Sequence, residues 1–258
     1  MRWNLSRQRV PTRDIQLRHA RRESWLFLVY ATFFVAAAFP TGLLIRHFPL
    51  PLGDSRSFLT DLWYLLLFKL GLLLLLPIAL HHSLGHRLKD LLFGWRPRPA
   101  SLLWVLAAAL AGASLNLQWL SDIRTAAAKS SPLHVVACVG LGTLVALATA
   151  GLPEELVFRG ILQTRLECAL GRLPAVALTT VFFTAWHLPT RYLLSNGIEG
   201  HAGSWMSVAK GTGIPVALGS LVFCWAWDRF RNLPALVAAH GATDAVPFVA
   251  FLLGVAPR

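Results

Sequence analysis

Gly151-Leu152-Pro153-Glu154-Glu155-Leu156-Val157-Phe158-Arg159-Gly160 sets two adjacent carboxylates and an arginine in an apolar run that begins at Val135 and keeps helical character to about Leu170. Such a run is long enough to enter a bilayer, where ionisable groups are costly to desolvate and are usually paired, turned toward a polar cavity, or both. On a helix Glu155 and Arg159 stand four residues apart on one face, so the guanidinium can pair with the second glutamate. Glu154 is turned about 100° away, toward a different neighbour, and that ion pair leaves it without a partner. Pro153 frees the carbonyl four residues upstream. With Gly151 it predicts a break, after which Glu154 and Glu155 open a half-helix whose dipole favours their charge.

The surrounding chain is of the same kind. Of its 258 residues 55% are hydrophobic and only 14% charged, too apolar for a soluble domain of this size. The expected fold is an all-α polytopic transmembrane bundle of about seven spans enclosing an intramembrane polar cavity. The spans fall near residues 25–45, 62–80, 101–120, 135–152 with its continuation to 170, 173–188, 214–227 and 233–255. Pro40 should kink the first, and Lys69 sits in the leucine-rich second, where its charge must face other helices or snorkel along its stem. Gly112, Ser114 and Asn116 read as helix-contact residues of the third. Three parts follow: a basic tail (1–24), amino-terminal spans with a basic amphipathic connector at 81–99 (25–134), and a carboxy-terminal transmembrane core that carries the paired glutamates (135–258).

The net charge of +12 lies around hydrophobic spans, where basic residues set topology and meet anionic lipid, and does not call for nucleic acid. Segments on the amino-terminal side hold sixteen basic residues and those on the other side seven, with Lys69 inside a span. That asymmetry puts the amino terminus in the cytoplasm. Cys138, Cys168 and Cys224 are far apart and odd in number, so they form neither a disulfide framework nor a cysteine metal site.

Two further polar positions lie at membrane depth. His187 closes Phe183-Thr184-Ala185-Trp186-His187, and the midpoint between it and Glu154 falls at Leu170 and Gly171, beside Gly171-Arg172-Leu173-Pro174. A helical hairpin about that turn brings Glu154 and His187 to similar depth. His240 and Asp244 share a helical face through their four-residue spacing. One common cavity accounts for all of these groups with a single assumption.

Glu-Glu-x-x-x-Arg at Glu154, Glu155 and Arg159, Phe-x-x-x-His at Phe183 and His187, and a histidine followed by an acid at His240 and Asp244 resemble, in that order, the CPBP intramembrane proteases. These are related to CAAX prenyl proteases and bacteriocin-processing proteins. The likeness covers residues 150–248. It implies a membrane endopeptidase in which Glu154 activates water, His187 helps hold it, and His240 with Asp244 stabilises the oxyanion. Glu155, Arg159 and Phe183 are supporting residues by the same likeness. Family members often carry Asn at the position of Asp244, and an ionised Asp cannot donate to an oxyanion. Asp244 is therefore left to orient His240, to be protonated at depth, or to join Glu154, His187 and His240 around a zinc ion. With no HExxH pair present, a metal-free mechanism without cofactors is preferred and zinc is second. The expected partners are a membrane-associated peptide or protein and the lipid bilayer, and the expected location is a bacterial inner membrane. A non-catalytic transporter or immunity protein using the same cavity is the competing reading.

Overall fold

The computed structural model describes residues 17–52, 57–87, 99–197 and 199–255. Most of the basic tail and most of the amphipathic connector lie outside them. The described chain is all-helical apart from a two-residue antiparallel pair, β1 (Asn196–Gly197) and β2 (Gly200–His201). Its helices are α1 (Leu17–His47), α2 (Trp63–Ser83), α3 (Pro99–Ser114), α4 (Leu120–Ala128), α5 (Pro132–Leu170), α6 (Arg172–Ala185), α7 (His187–Leu194), α8 (Trp205–Phe230) and α9 (Leu233–Leu252).

Among the described residues five helices are long and apolar enough to cross a membrane: α1 from Arg22, α2, α5, α8 and α9. A sixth crossing arises if Leu102–Ser114 and Leu117–Ala128, bent by 59°, count as one span. Among the described residues the expected total of about seven is therefore not confirmed. The segment 173–188 forms the 14-residue α6, which at ~1.5 Å per residue falls short of a ~30 Å hydrocarbon core. The polar stretch 189–213 is also more ordered than a loop, since it holds α7, the β pair and the first turns of α8.

The second departure is at Pro153. Instead of breaking, α5 runs without interruption for 39 residues. The helix widens to i→i+5 bonding at Leu147–Gly151 and again at Glu155–Gln163, with the Leu152 N–H reaching Leu147 O. A π-turn relaxes the register ahead of the proline, so the missing donor of Pro153 is absorbed by a wider turn. The hairpin turn stands where expected: α5 stops at Leu170, Gly171 takes φ +85°, and α6 begins at Arg172.

Close helix approach positions the site. Gly151 lies so near α9 that a Cβ there would be 2.6 Å from Val237 O and 2.9 Å from the Gly241 nitrogen. Small residues at such a crossing let two backbones meet in lipid. Gly112 and Asn116 also make contacts of the expected kind: Thr243 Oγ1 donates to Gly112 O at 3.2 Å, and Asn116 Nδ2 donates to Thr243 O at 2.7 Å. Ser114 instead bonds its own helix at Ala111 O. The core beside these crossings is aromatic. Phe34 stacks on Phe68 at 4.6 Å, and Trp186 lies 5.4 and 5.7 Å from those two rings. Leu103, Leu110, Val136, Leu144 and Val222 point outward as the apolar belt a lipid-facing surface requires.

Candidate active site

The α5–α6 hairpin and the α5–α9 crossing bring Glu154, Phe183, His187, His240 and Asp244 to the wall of one cavity of about 430 Å³. Glu154, Glu155 and Arg159 are almost wholly buried, at 1%, 0% and 0% exposure. Removing such charges from water without partners would cost several kcal/mol each, so their partners define the site.

Glu155 and Arg159 pair as their spacing requires, with Arg159 Nη1 donating to Glu155 Oε1 at 2.9 Å. The guanidinium also reaches Ser220 Oγ at 3.1 Å and lies over the Phe183 ring, 4.2 Å from its centroid. Phe183 in turn meets Phe158 edge-on at 5.0 Å, which packs α5 against α6. The pair has a third member. His240 Nδ1 lies 2.6 Å from Glu155 Oε1; because a carboxylate only accepts, that nitrogen carries the proton. His240 Nε2 then faces Glu154 Oε2 at 3.6 Å and Asp244 Oδ2 at 3.9 Å. Both glutamates thus reach one imidazole from adjacent positions, where a regular helix predicts different neighbours. The widened turn beginning at Glu155 is the local cause. Orientation of His240 through Nδ1 belongs to Glu155, not to Asp244.

Glu154 has the partner that its own segment could not supply. Lys69, only 5% exposed in α2, donates Nζ to Glu154 Oε1, and its ammonium sits 4.5 Å from the centre of the Trp186 ring. Of the two roles open to Lys69, it takes the one facing other helices. Glu154 Oε2 is buried and makes no hydrogen bond among the described residues. His187 Nδ1 lies 2.7 Å from Phe183 O, and a carbonyl likewise requires the proton on nitrogen, leaving Nε2 as the acceptor. No hydrogen bond or ion pair among the described residues joins His187 directly to Glu154; the two share a cavity wall.

One more cation lines this cavity. Arg191 is buried in α7, where Nη1 donates to Tyr64 Oη at 2.9 Å and Nη2 to Glu199 Oε1 at 3.2 Å.

A zinc ion would need three or four donors at about 2.0–2.2 Å from one point. Among the described residues no three His, Cys, Asp or Glu side chains are so arranged. Lys69 already puts a cation on Glu154, and Glu155 holds Nδ1 of His240. As placed, the donor set does not fit a zinc ion.

Lys69→Met should remove the counter-charge while keeping the length of the side chain. Leaving a buried carboxylate unpaired costs ~3–5 kcal/mol, so the variant should unfold at lower temperature in detergent, and Lys69→Arg should recover most of the difference. Equal melting of Lys69→Met and the parent would mean that the ion pair holds nothing together.

Comparison with curated proteins gives no match, and comparison with solved structures gives none. Residues 136–246, somewhat under half of the chain, match the family model described as type II CAAX prenyl endopeptidase Rce1-like. The matched segment contains the α5–α6 hairpin and the His240–Asp244 face, while Lys69 and Tyr64 lie outside it. Within an all-α fold that has five helices long and apolar enough to cross a membrane, residues 136–246 are thus similar to the CAAX-type protease family.

Proposed function

We propose that the chain is an intramembrane endopeptidase in which Glu154 activates water against a peptide carbonyl, without a metal. The observation that carries this reading is the asymmetry of one carboxylate: Lys69 binds Oε1, while Oε2 is buried, makes no hydrogen bond and faces His240 Nε2 at 3.6 Å in the cavity. An ionised oxygen of that kind is a proton acceptor in a desolvated site. His187, its Nδ1–H fixed by Phe183 O, offers Nε2 to orient the attacking water. The water oxygen bonds to the carbonyl carbon as its proton passes to Glu154. Protonated at Nε2, His240 donates to the oxyanion and keeps its orientation through Glu155. Collapse breaks the C–N bond, and Glu154 returns the proton to the leaving amine. Asp244, 3.9 Å from His240 Nε2, stabilises the imidazolium and does not itself donate to the oxyanion.

The substrate is a peptide segment of a membrane-associated protein. Purified protein reconstituted in bilayers should convert such a peptide into two fragments whose masses sum to that of the peptide plus one water. A transporter or immunity protein would bind or move the peptide and return it intact, and that result would replace the protease reading.

A further inference from the structure

The two ends of the bundle differ. At one end, Glu23 at the start of α1 accepts from Arg165 Nε at 3.0 Å and lies 3.0 Å from His86, while Arg165 Nη2 is 3.0 Å from His81 Nδ1. Arg172 pairs with Asp228 at 2.7 Å and Arg231 pairs with Glu167. These contacts tie the start of α1, the end of α2, the end of α5, the start of α6 and the end of α8 together. Above them Phe34, Phe68, Phe158 and Trp186 form a floor, each no more than 2% exposed. The cavity extends the other way, past Glu154 to Ser57, Asn116, Trp119, Ser195, Glu199 and Phe251. Those positions follow α1, precede α2, follow α3 and α7, and close α9. They all belong to the end opposite Glu23, Arg165 and Arg231.

Charge orients these ends. By sequence, the segments attached to the sealed end carry the seven arginines of residues 2–22 together with Arg87, Lys89, Arg96, Arg98, Arg165, Arg172, Arg229 and Arg231. Those attached to the cavity end carry Arg46, Arg56, Arg124, Lys129, Arg191, Lys210 and Arg258. Basic residues flanking spans are retained in the cytoplasm, so the sealed end is the cytoplasmic one. We infer that the cavity opens on the non-cytoplasmic face and that its substrate is a peptide segment exposed there, such as an exported peptide or the outer flank of a membrane-anchored protein. A tail anchored by lipid in the cytoplasmic leaflet would meet the sealed end. The cleavage half of this inference rests on the protease reading; the orientation does not.

Two arms test it. Lys129→Cys, beyond α4 at the cavity end, and Arg229→Cys, at the sealed end, replace exposed residues remote from the site. With a membrane-impermeant maleimide, and the parent chain as background, Lys129→Cys should label in intact cells and Arg229→Cys only in inside-out vesicles. The reversed pattern overturns the orientation. In the second arm, a water-soluble reporter peptide added outside sealed vesicles should be cut at least about tenfold faster by right-side-out than by inside-out membranes. Equal or reversed rates overturn the assigned face of entry. Expected labelling with no cutting by either vesicle, nor after solubilisation in mild detergent, removes the protease reading and with it the substrate, while the orientation stands.

Discussion

Glu154→Gln is expected to abolish peptide cleavage, lowering kcat by roughly a hundredfold to ten-thousandfold, the usual contribution of a positioned general base. The substitution keeps the shape of the side chain and an oxygen to receive Lys69 Nζ, but an amide cannot take the water's proton. Binding should change less, because the cavity wall keeps its other members, including Phe183, His187 and Asp244. The loss should therefore fall on kcat rather than KM. A lowered melting temperature accompanies it, since Lys69 faces a neutral partner in a buried site. Activity is to be read on protein shown to remain folded. Full retained turnover would remove Glu154 from the mechanism.

Arg159→Met should have the largest effect on stability. It strips Glu155 of its cation where both side chains are fully buried, and breaking such a pair costs ~3–5 kcal/mol, enough to lower the unfolding temperature in detergent by many degrees. Replacing both members is different, because it leaves no unpaired charge. Glu155→Gln with Arg159→Met should recover much of the stability. Activity should not recover with it, because the neutral amide still accepts from His240 Nδ1 but lacks the negative charge that supports the imidazolium. Thermal unfolding and turnover measured on the single and double variants separate the two roles of Glu155. If activity returned together with stability, Glu155 would be a partner of Arg159 only.

Most of this architecture follows from local pattern. Composition and span length give a helical membrane bundle, the i,i+4 rule gives Glu155–Arg159 and the shared face of His240 and Asp244, and Gly171-Arg172-Leu173-Pro174 marks the hairpin. What escapes such reading is azimuth. A leucine-rich span gives the depth of Lys69 but not the direction of its side chain, and its partner lies 85 residues away. A signal existed nonetheless: one lysine in a span and one glutamate left over from an ion pair are complementary orphans in a medium that tolerates neither alone. The meeting of Glu155 with His240 was less accessible, because it depends on π-turns around Pro153 that periodicity at 3.6 residues does not anticipate. Arg191 escaped for another reason. A polar stretch after a proline reads as a loop, whereas here it forms a helix that turns the guanidinium inward to Tyr64 and Glu199.

The central claim is that water, activated by Glu154, attacks the peptide directly. A single turnover in oxygen-18 water, with enzyme in excess over a membrane-embedded peptide, tests it most directly. The account predicts one labelled oxygen in the new carboxyl terminus of essentially every cleaved molecule, and no label in Glu154 when the enzyme is digested and weighed. Unlabelled product with oxygen-18 in the Glu154 carboxylate would show a covalent acyl-enzyme and contradict the account.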